Sequence, residues 1–501
     1  MFISRAASRT TSVECPPKQA PPLVLPDCAS APRLVSESTI PGVSASPRHT
    51  ATASRTPPTA PGNFLLGNIR DIGRDPLEFL TTIAHDHGDV VRYRLANYDF
   101  YLVTHPDGVQ RILLDNNRNY TRNGSVVWNA LKPVFGSPLI VSDGESWFFR
   151  RRIMQPVFVH RHVAQFTEVM VKKAASMLDG WAEHEDKAKP VDLALQMSRM
   201  TLEMLMATIF GVESPEVVRE LGQAMLIQNE QAIVRARLLF YPPPWVPTPN
   251  NRRLRAAQRL LERHIYALIA EHRRNPGART DLLGLLIQAR DEQTGKGLND
   301  EQLFAEVASL YNAGHSSLAN TLLWAFYLLA QNPQVMERLR SDVDRVLGDR
   351  PPTADDLPNL PYVQMVLYET LRLHPVGWVS VRKVIADDEI LGYRIPAGAH
   401  VTVSEHVTHR SPLYWDAPER FDPERFTPEA TRSRHRYAWF PFLGGPHQCL
   451  GRDFVTLDAQ LVLIMAAQRY RLELVPGHVA EAEPLITQRM RGPLPMLIHK
   501  R

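Results

Sequence analysis

Cysteine is nearly absent from this chain: there are three in 501 residues. Three cannot build a disulfide framework, and Cys15 and Cys28 fall in a tail without structural pattern. A reduced, intracellular setting follows. Long apolar runs are also missing. The longest clean one, Leu322 to Ala330, is too short to cross a bilayer, so a soluble, cytoplasmic protein without a transmembrane segment is expected. A strong charge of either sign is lacking too: 57 Lys and Arg stand against 53 Asp and Glu. That balance, with no nucleic-acid motif, argues against a nucleic-acid partner. No C-x-x-C pair exists for structural zinc, and no repeat is visible.

What is present divides unevenly. Pro, Ser, Thr and Ala supply 35 of the first 60 residues, with six Lys/Arg against three Asp/Glu. Such a segment has too little apolar surface to offset its ordering entropy, so residues 1–56 are expected to be a disordered extension. Its Arg- and Ser-rich start also fits an organellar transit peptide, the lesser alternative. Residues 57–501 read as one domain, mainly α with a minor β part. DVVRYRL and DFYLVTH form a hairpin around Ala96-Asn97. Asp387 to Glu405 holds more strands, broken at Gly392 and at Pro396 to Gly398. Nearly everything from Trp147 to His374 has helical periodicity. YPPPWVPTPNN (Tyr241 to Asn251) breaks two helices apart.

Two helices stand out. One starts at Asn299, with Gln302 completing a capping box, and stops at Asn332-Pro333. At roughly 45–50 Å it spans the domain. Gly314 in its middle costs about 1 kcal/mol against alanine. It marks either a close approach to the backbone or plain helix packing. The other helix runs from Pro361 to a stop at Pro375. Its Glu369 and Arg372, three apart, share a face, the spacing of an ordinary surface pair.

WFPFLGGPHQCLG (Trp439 to Gly451) places the third cysteine in a glycine-rich loop before a helical pattern. Gly444, Gly445 and Gly451 let backbone approach something flat and bulky. The free N–H groups and partial positive charge of the helix start favour a thiolate at Cys449. Such a thiolate is a metal ligand or a nucleophile. His447, two residues away, keeps the nucleophile open, while a single thiolate ligand points to haem iron.

These segments resemble the cytochrome P-450 family of haem-thiolate enzymes. FLGGPHQCLG is similar to the family's haem loop, with Phe442, Gly445, Cys449 and Gly451 in place. ETLR matches its E-x-x-R pair, FDPERF its PERF segment with Arg425, WFFRR its W-x-x-x-R with Trp147 and Arg151, and AGHSS its oxygen-binding stretch. The resemblance covers roughly Pro57 to Arg501, in family order. It implies the cytochrome P-450 fold, with the long helix over haem b (iron protoporphyrin IX) ligated by Cys449. Trp147, Arg151, Arg382 and His447 would face the haem propionates, and Glu369, Arg372 and Arg425 would steady the loop. Gly314, Ser316 and Ser317 would line the oxygen site. Val127, Trp128, Leu131, Phe135, Ala313, Val379 and Ile486 would line an apolar substrate pocket.

The chain departs from the family twice. His447 replaces an arginine, so haem retention is expected to weaken as pH rises. Ser316 and Ser317 replace an acid and a threonine, so the hydroxyl survives without the carboxylate. Ser317 is expected to bond back to Ala313. The resemblance implies a monooxygenase that hydroxylates or epoxidises a hydrophobic substrate: a lipid, terpenoid, polyketide or similar secondary metabolite. Only 52 residues follow Cys449, with no flavin or iron–sulfur module. Electrons must then come from a separate ferredoxin or flavodoxin with its reductase. Arg150 to Arg152 and TRSRHRY (Thr431 to Tyr437) are expected to form the basic docking patch on a monomer. The alternatives are a peroxide-driven oxygenase or isomerase, and a haem-based binding or sensing protein.

Overall fold

Ala96 takes a left-handed conformation, φ 53°, between two runs of alternating β-branched and aromatic residues. The chain turns back there. The computed structural model, which describes residues 55–184, 189–237, 242–243, 245–275 and 281–501, pairs β1 (Val90–Leu95) and β2 (Tyr98–Val103) antiparallel, with Val90 opposite Val103. Four more strands follow in the β part: β3 (Tyr120–Thr121), β4 (Ser380–Val384), β5 (Asp388–Ile390) and β6 (Tyr393–Ile395). With β7 (His400–Val403), β1 to β4 make a five-stranded sheet in the order β1-β2-β7-β4-β3. β5 and β6 pair with each other across Gly392, and the chain breaks again before β7, as the sequence suggests. Along β4 the buried positions alternate, so Ser380, Arg382 and Val384 face inward. β3 pairs with β4, Thr121 opposite Lys383, which brings Arg122 beside Arg382's strand. A second hairpin, β8 (Ala482–Pro484) and β9 (Gln488–Met490), lies near the C-terminus.

The helices that place the site are α1 (Val126–Phe135), α2 (Gly144–Met154), α3 (Thr167–Trp181), α4 (Leu193–Phe210), α5 (Pro215–Arg237), α6 (Pro249–Arg274), α7 (Asp300–Gln331), α8 (Pro361–Leu373) and α9 (Arg452–Arg469). α7 is the long central helix, 32 residues, with the Asn299–Gln302 capping box formed in both directions and Asn332 at its end. Its second half is buried all round, Leu318 to Leu329. α5 ends before the Pro-rich stretch and α6 begins at Pro249 within it; residues 238–240, and residues 241 and 244 of that stretch, lie outside the described residues, as do residues 1–54 of the expected extension. The main core gathers α3, α4, α7, α8 and α9 through side chains such as Trp181, Phe210, Trp324, Val366 and Leu461. Among the described residues no helix is long and apolar enough to cross a membrane.

Candidate active site

The cysteine loop is fixed by local geometry. Leu443 (φ 58°) and Gly445 (φ 63°) are both left-handed, the former at a cost of about 1–3 kcal/mol. The Cys449 N–H donates to Phe442 O at 2.9 Å, closing the loop. Two of the three glycines make close approaches that the sequence does not specify. A Cβ on Gly445 would lie 1.9 Å from Leu113 O, and one on Gly444 would lie 2.5 Å from the Tyr437 ring. Both make room for protein. Gly451 alone looks toward the sulfur, with its would-be Cβ 4.0 Å from Cys449 Sγ. Phe442 packs at the edge of the main core.

Cys449 is accessible yet surrounded by protein, so its sulfur opens onto an interior space. In the protein alone, effects of opposite sign act on the thiol. Burial pushes it up, and the Gly451 N–H, Arg151 and Arg452 pull it back only in part. Burial outweighs the helix start because the first removes hydration and the second supplies a partial charge only. A thiolate here therefore calls for a cation at the sulfur. Among the described residues no three His, Cys, Asp or Glu side chains converge to hold an ion. A metal at Cys449 must bring its other ligands with it, as haem does.

Around the loop lies a knot of buried cations. The His447 ring sits 4.1 Å from Trp147's, Arg151 Nη1 donates to Gln448 O at 2.7 Å, and Arg382 is 3% exposed. The four predicted residues thus converge. Arg122, which the sequence does not single out, joins them at 5% exposure, its guanidinium 5.1 Å from the Trp128 ring. Arg122 Nε, Arg382 Nη2 and His447 Nδ1 are buried donors or acceptors with no partner. Asp143, held by the Arg122 N–H at 2.7 Å, is the carboxylate among them. So much orphaned cationic capacity fits a ligand with two carboxylates, such as haem. Burial first, then Arg122 and Arg382, push the His447 imidazole down to about 2. Among the protein groups alone the ring is held neutral.

Glu405, 1% exposed in the short helix Glu405–Thr408, shares this region with Arg382. Burial pushes its carboxyl from an ordinary 4.5 up to about 8. A raised value means stability that is complete below about 4.5 and lost as pH rises through about 8. Glu405→Gln is expected to raise the thermal midpoint ~1–2 °C more at pH 9 than at pH 6. Equal shifts at both would remove Glu405 from the account.

The Glu369–Arg372 pair is no surface pair. Both side chains are fully buried, with Arg372 Nε 2.6 Å from Glu369 Oε2 and Nη2 2.8 Å from Oε1. Arg425 Nε lies 3.4 Å from Glu369, the outlying member of the predicted set. Arg372 Nη1 also donates to His409 O at 2.9 Å, and His409 Nε2 accepts the Phe440 N–H at 2.9 Å. That chain of bonds ties α8 to the cysteine loop, and the sequence analysis does not include His409.

On α7, Ala313 is exposed in the middle of a helix that is otherwise largely buried, which marks the face open to the interior space. Gly314 faces elsewhere: a Cβ there would meet Leu205 of α4 at 3.1 Å, so its smallness serves helix packing and not the oxygen site. Ser316, not Ser317, makes the back-bond, its Oγ donating to Asn312 O at 3.4 Å. Ser317 offers only its carbonyl, to Thr321 Oγ1 at 2.8 Å. Trp128 joins two groups of the pocket candidates, since it packs with Leu131 and Phe135 and also reaches Val381. Leu131 and Phe135 pack with Val134, Ala232 of α5 and Leu254 of α6. Trp128 Nε1 donates to Val381 O at 3.1 Å, beside Val379, while Val127 is half-buried. Ile486 stands 38% exposed on the β8–β9 turn, which Trp378 Nε1 anchors at Leu485 O, 2.8 Å.

The expected basic patch largely dissolves. Arg150 is 8% exposed, and its Nη1 lies 2.6 Å from Glu306 Oε1 of α7. Arg152 is forked onto Asp291 at 2.7 and 3.2 Å. Arg434 lies over the Trp415 ring at 4.3 Å and donates to Arg425 O. Arg432 stays exposed beside Glu429.

A family model described as Cytochrome P450 matches residues 57–495. The chain is 32% identical over 445 residues to Cyclooctat-9-en-7-ol 5-monooxygenase of Streptomyces melanosporofaciens, covering 88% of this chain and 95% of that protein. It is 34% identical to Cyclooctatin synthase of the same organism, over 87% of this chain and 94% of that one. Pentalenene oxygenase of Streptomyces avermitilis is 29% identical over 87% and 95%. The solved cytochrome P450DA heme domain superposes with a TM-score of 0.79 at 24% identity, covering 89% of this chain and 98% of that one, a likeness of fold.

Proposed function

The chain belongs to the cytochrome P450 family, and from that premise, which makes it a haem-thiolate monooxygenase drawing on dioxygen and a redox partner, we propose that Cys449 is the axial ligand and that the substrate is a cyclic terpenoid. The observation that carries the site is the accessible sulfur of Cys449 beside buried Arg122, Arg382 and His447, each with one ring or guanidinium nitrogen left without a partner. The substrate class is supported by relatives named for cyclooctat-9-en-7-ol and pentalenene. The apolar clusters against which Val379 and Trp128 pack agree with it. Bound haem supplies reductive activation of dioxygen and insertion of one atom into a C–H or C=C bond. The chain's own residues do the rest. Arg122, Trp147, Arg151, Arg382 and His447 bind and orient the propionates. Glu369, Arg372 and His409 hold the loop at one height. Titration of the haem protein with cyclic terpenes and with fatty acids, read by the haem spectrum, tests the substrate class. Shifts with fatty acids alone would sink it.

Ser317 holds a proton at its Oγ on the face next to Ala313. Its hydroxyl is not spent on a backbone carbonyl among the described residues. Ser316 cannot relay protons as a carboxylate would, so water must connect Ser317 to solvent. Ser317→Ala is expected to lower product formed per reduced nicotinamide about five-fold, the effect of one hydrogen bond of ~1 kcal/mol. Ser317→Thr should match the parent or improve on it, because the added methyl fixes the rotamer. Unchanged coupling in the alanine variant would take Ser317 out of proton delivery.

For the electron donor, Arg432 is the cation to probe. Arg432→Glu is expected to raise KM for an acidic ferredoxin ~2–3-fold at low salt and to leave it unchanged at high salt. An effect independent of salt would exclude docking there.

A further inference from the structure

The helix that roofs the predicted pocket carries a buried amide beside its open face. Asn312 precedes Ala313 and is 8% exposed. Its Nδ2 donates to Gln228 Oε1 of α5 at 3.1 Å and to Ala308 O at 3.1 Å. Gln228, 5% exposed, donates in turn through Nε2 to Val134 O of α1 at 3.3 Å. These oxygens fix both amides, since turning either one would set oxygen against oxygen or donor against donor. Asn312 Oδ1 is therefore an acceptor, and it has no partner. Buried polar atoms in folded proteins are almost always satisfied. A deliberate pair of amides that ends in a free acceptor implies a donor from outside the chain.

The place of that acceptor says what the donor belongs to. Asn312 and Ser316 lie one turn apart on α7 and are joined by the Ser316 Oγ bond to Asn312 O. Gln228 lies one turn from Ala232, which packs against Leu131 and Val134. The amide thus stands where α7, α5 and α1 meet, in surroundings otherwise apolar. We infer that Asn312, braced by Gln228, is a specificity-determining acceptor for a hydroxyl group on an otherwise apolar substrate. This rests on reading the Ala313 face of α7 as the pocket, and it narrows the substrate class to alcohols. A ketone or a carboxylate offers acceptors only and is repelled by Oδ1. A bare hydrocarbon leaves the acceptor unmet. Asn312 holds the substrate in one orientation and takes no part in the chemistry.

The probes are N-alkylimidazoles of graded chain length, each made with a terminal methyl and with a terminal hydroxyl. The imidazole nitrogen ligates haem iron whatever the natural substrate is, and the chain explores the pocket. Binding to the intact haem protein is read by the haem spectrum. In the parent, at one chain length, the hydroxyl compound is expected to bind about ten-fold more tightly than its methyl partner, ~1.4 kcal/mol. In Asn312→Leu the ratio should fall to about one, with methyl-terminated binding retained. Gln228→Met, which removes one of the two oxygens that fix the Asn312 amide and leaves Ala308 O, should lower the ratio without touching the acceptor, and it decides the matter if the leucine variant does not hold haem. No hydroxyl preference at any length in the parent, or a preference that survives substitution, overturns the assignment. Failure of cyclic terpenes to shift the spectrum sinks the terpenoid reading alone, because the imidazole series does not depend on it.

Discussion

Arg372→Ala is expected to yield a chain that does not retain haem, with a loss of about 3–5 kcal/mol of stability. The guanidinium is fully buried and makes five bonds. Two go to Glu369; the others go to His409 O at 2.9 Å, Pro418 O at 2.7 Å and Arg420 O at 3.2 Å. Its removal strands three carbonyls and a carboxylate in the same dry volume. Burial already pushes Glu369 up, against the pull of Arg372 first and of Arg425 last. Without Arg372, Glu369 would take up a proton and lose its hold on the Asp422 N–H, now 2.9 Å away. The damage reaches the cysteine loop through His409 and the Phe440 N–H. Arg372→Lys keeps one charge without the fork and should fall between the parent and alanine. Haem content after purification and the thermal midpoint measure the effect. Parent-level haem in the alanine variant would show that the α8 pair does not support the loop.

The same residues show what a sequence can and cannot disclose. The ends of α7 are local events, an Asn–Gln capping box and an Asn-Pro stop, and the helix falls where they say. The β1–β2 hairpin is likewise local. The motifs that resemble the family name residues that the fold brings together around Cys449. What is missed is decided by partners far along the chain. Arg150 and Glu306 are 156 residues apart, Gln228 and Asn312 are 84 apart. An arginine run resembles a solvated face until tertiary packing supplies its carboxylates. Arg122 sits in a turn and carries no local sign of burial; only the pairing of β3 with β4 brings it to Arg382. Gly314 and Gly445 show that a glycine announces a close approach without saying what approaches. The Cys449 thiol shows two known effects of opposite sign, whose balance depended on a burial that the sequence does not print.

That balance leads to the largest expected effect. Cys449 is the free cysteine among the described residues. Burial pushes its thiol up, and a cation bonded to sulfur would favour the thiolate in this site. Serine in its place offers an oxygen that ionises far less readily than sulfur and gives up less electron density to a metal. Cys449→Ser is expected to abolish the thiolate-type spectrum of the reduced carbonyl complex. Monooxygenase turnover should fall ~10²-fold or more, at least about 2.7 kcal/mol on the barrier, because the electron release that favours O–O cleavage is gone. The fold should survive, since the loop is held by the Cys449 N–H to Phe442 O, by the His409 ring on the Phe440 N–H and by the Arg372 bonds, none of which uses the sulfur. Haem content therefore separates a lost ligand from a lost structure. Cys15→Ser and Cys28→Ser, both outside the described residues, should leave the spectrum unchanged. A serine variant that kept the thiolate-type spectrum would mean that another group holds the iron, and the assignment of every residue around the loop would fall with it.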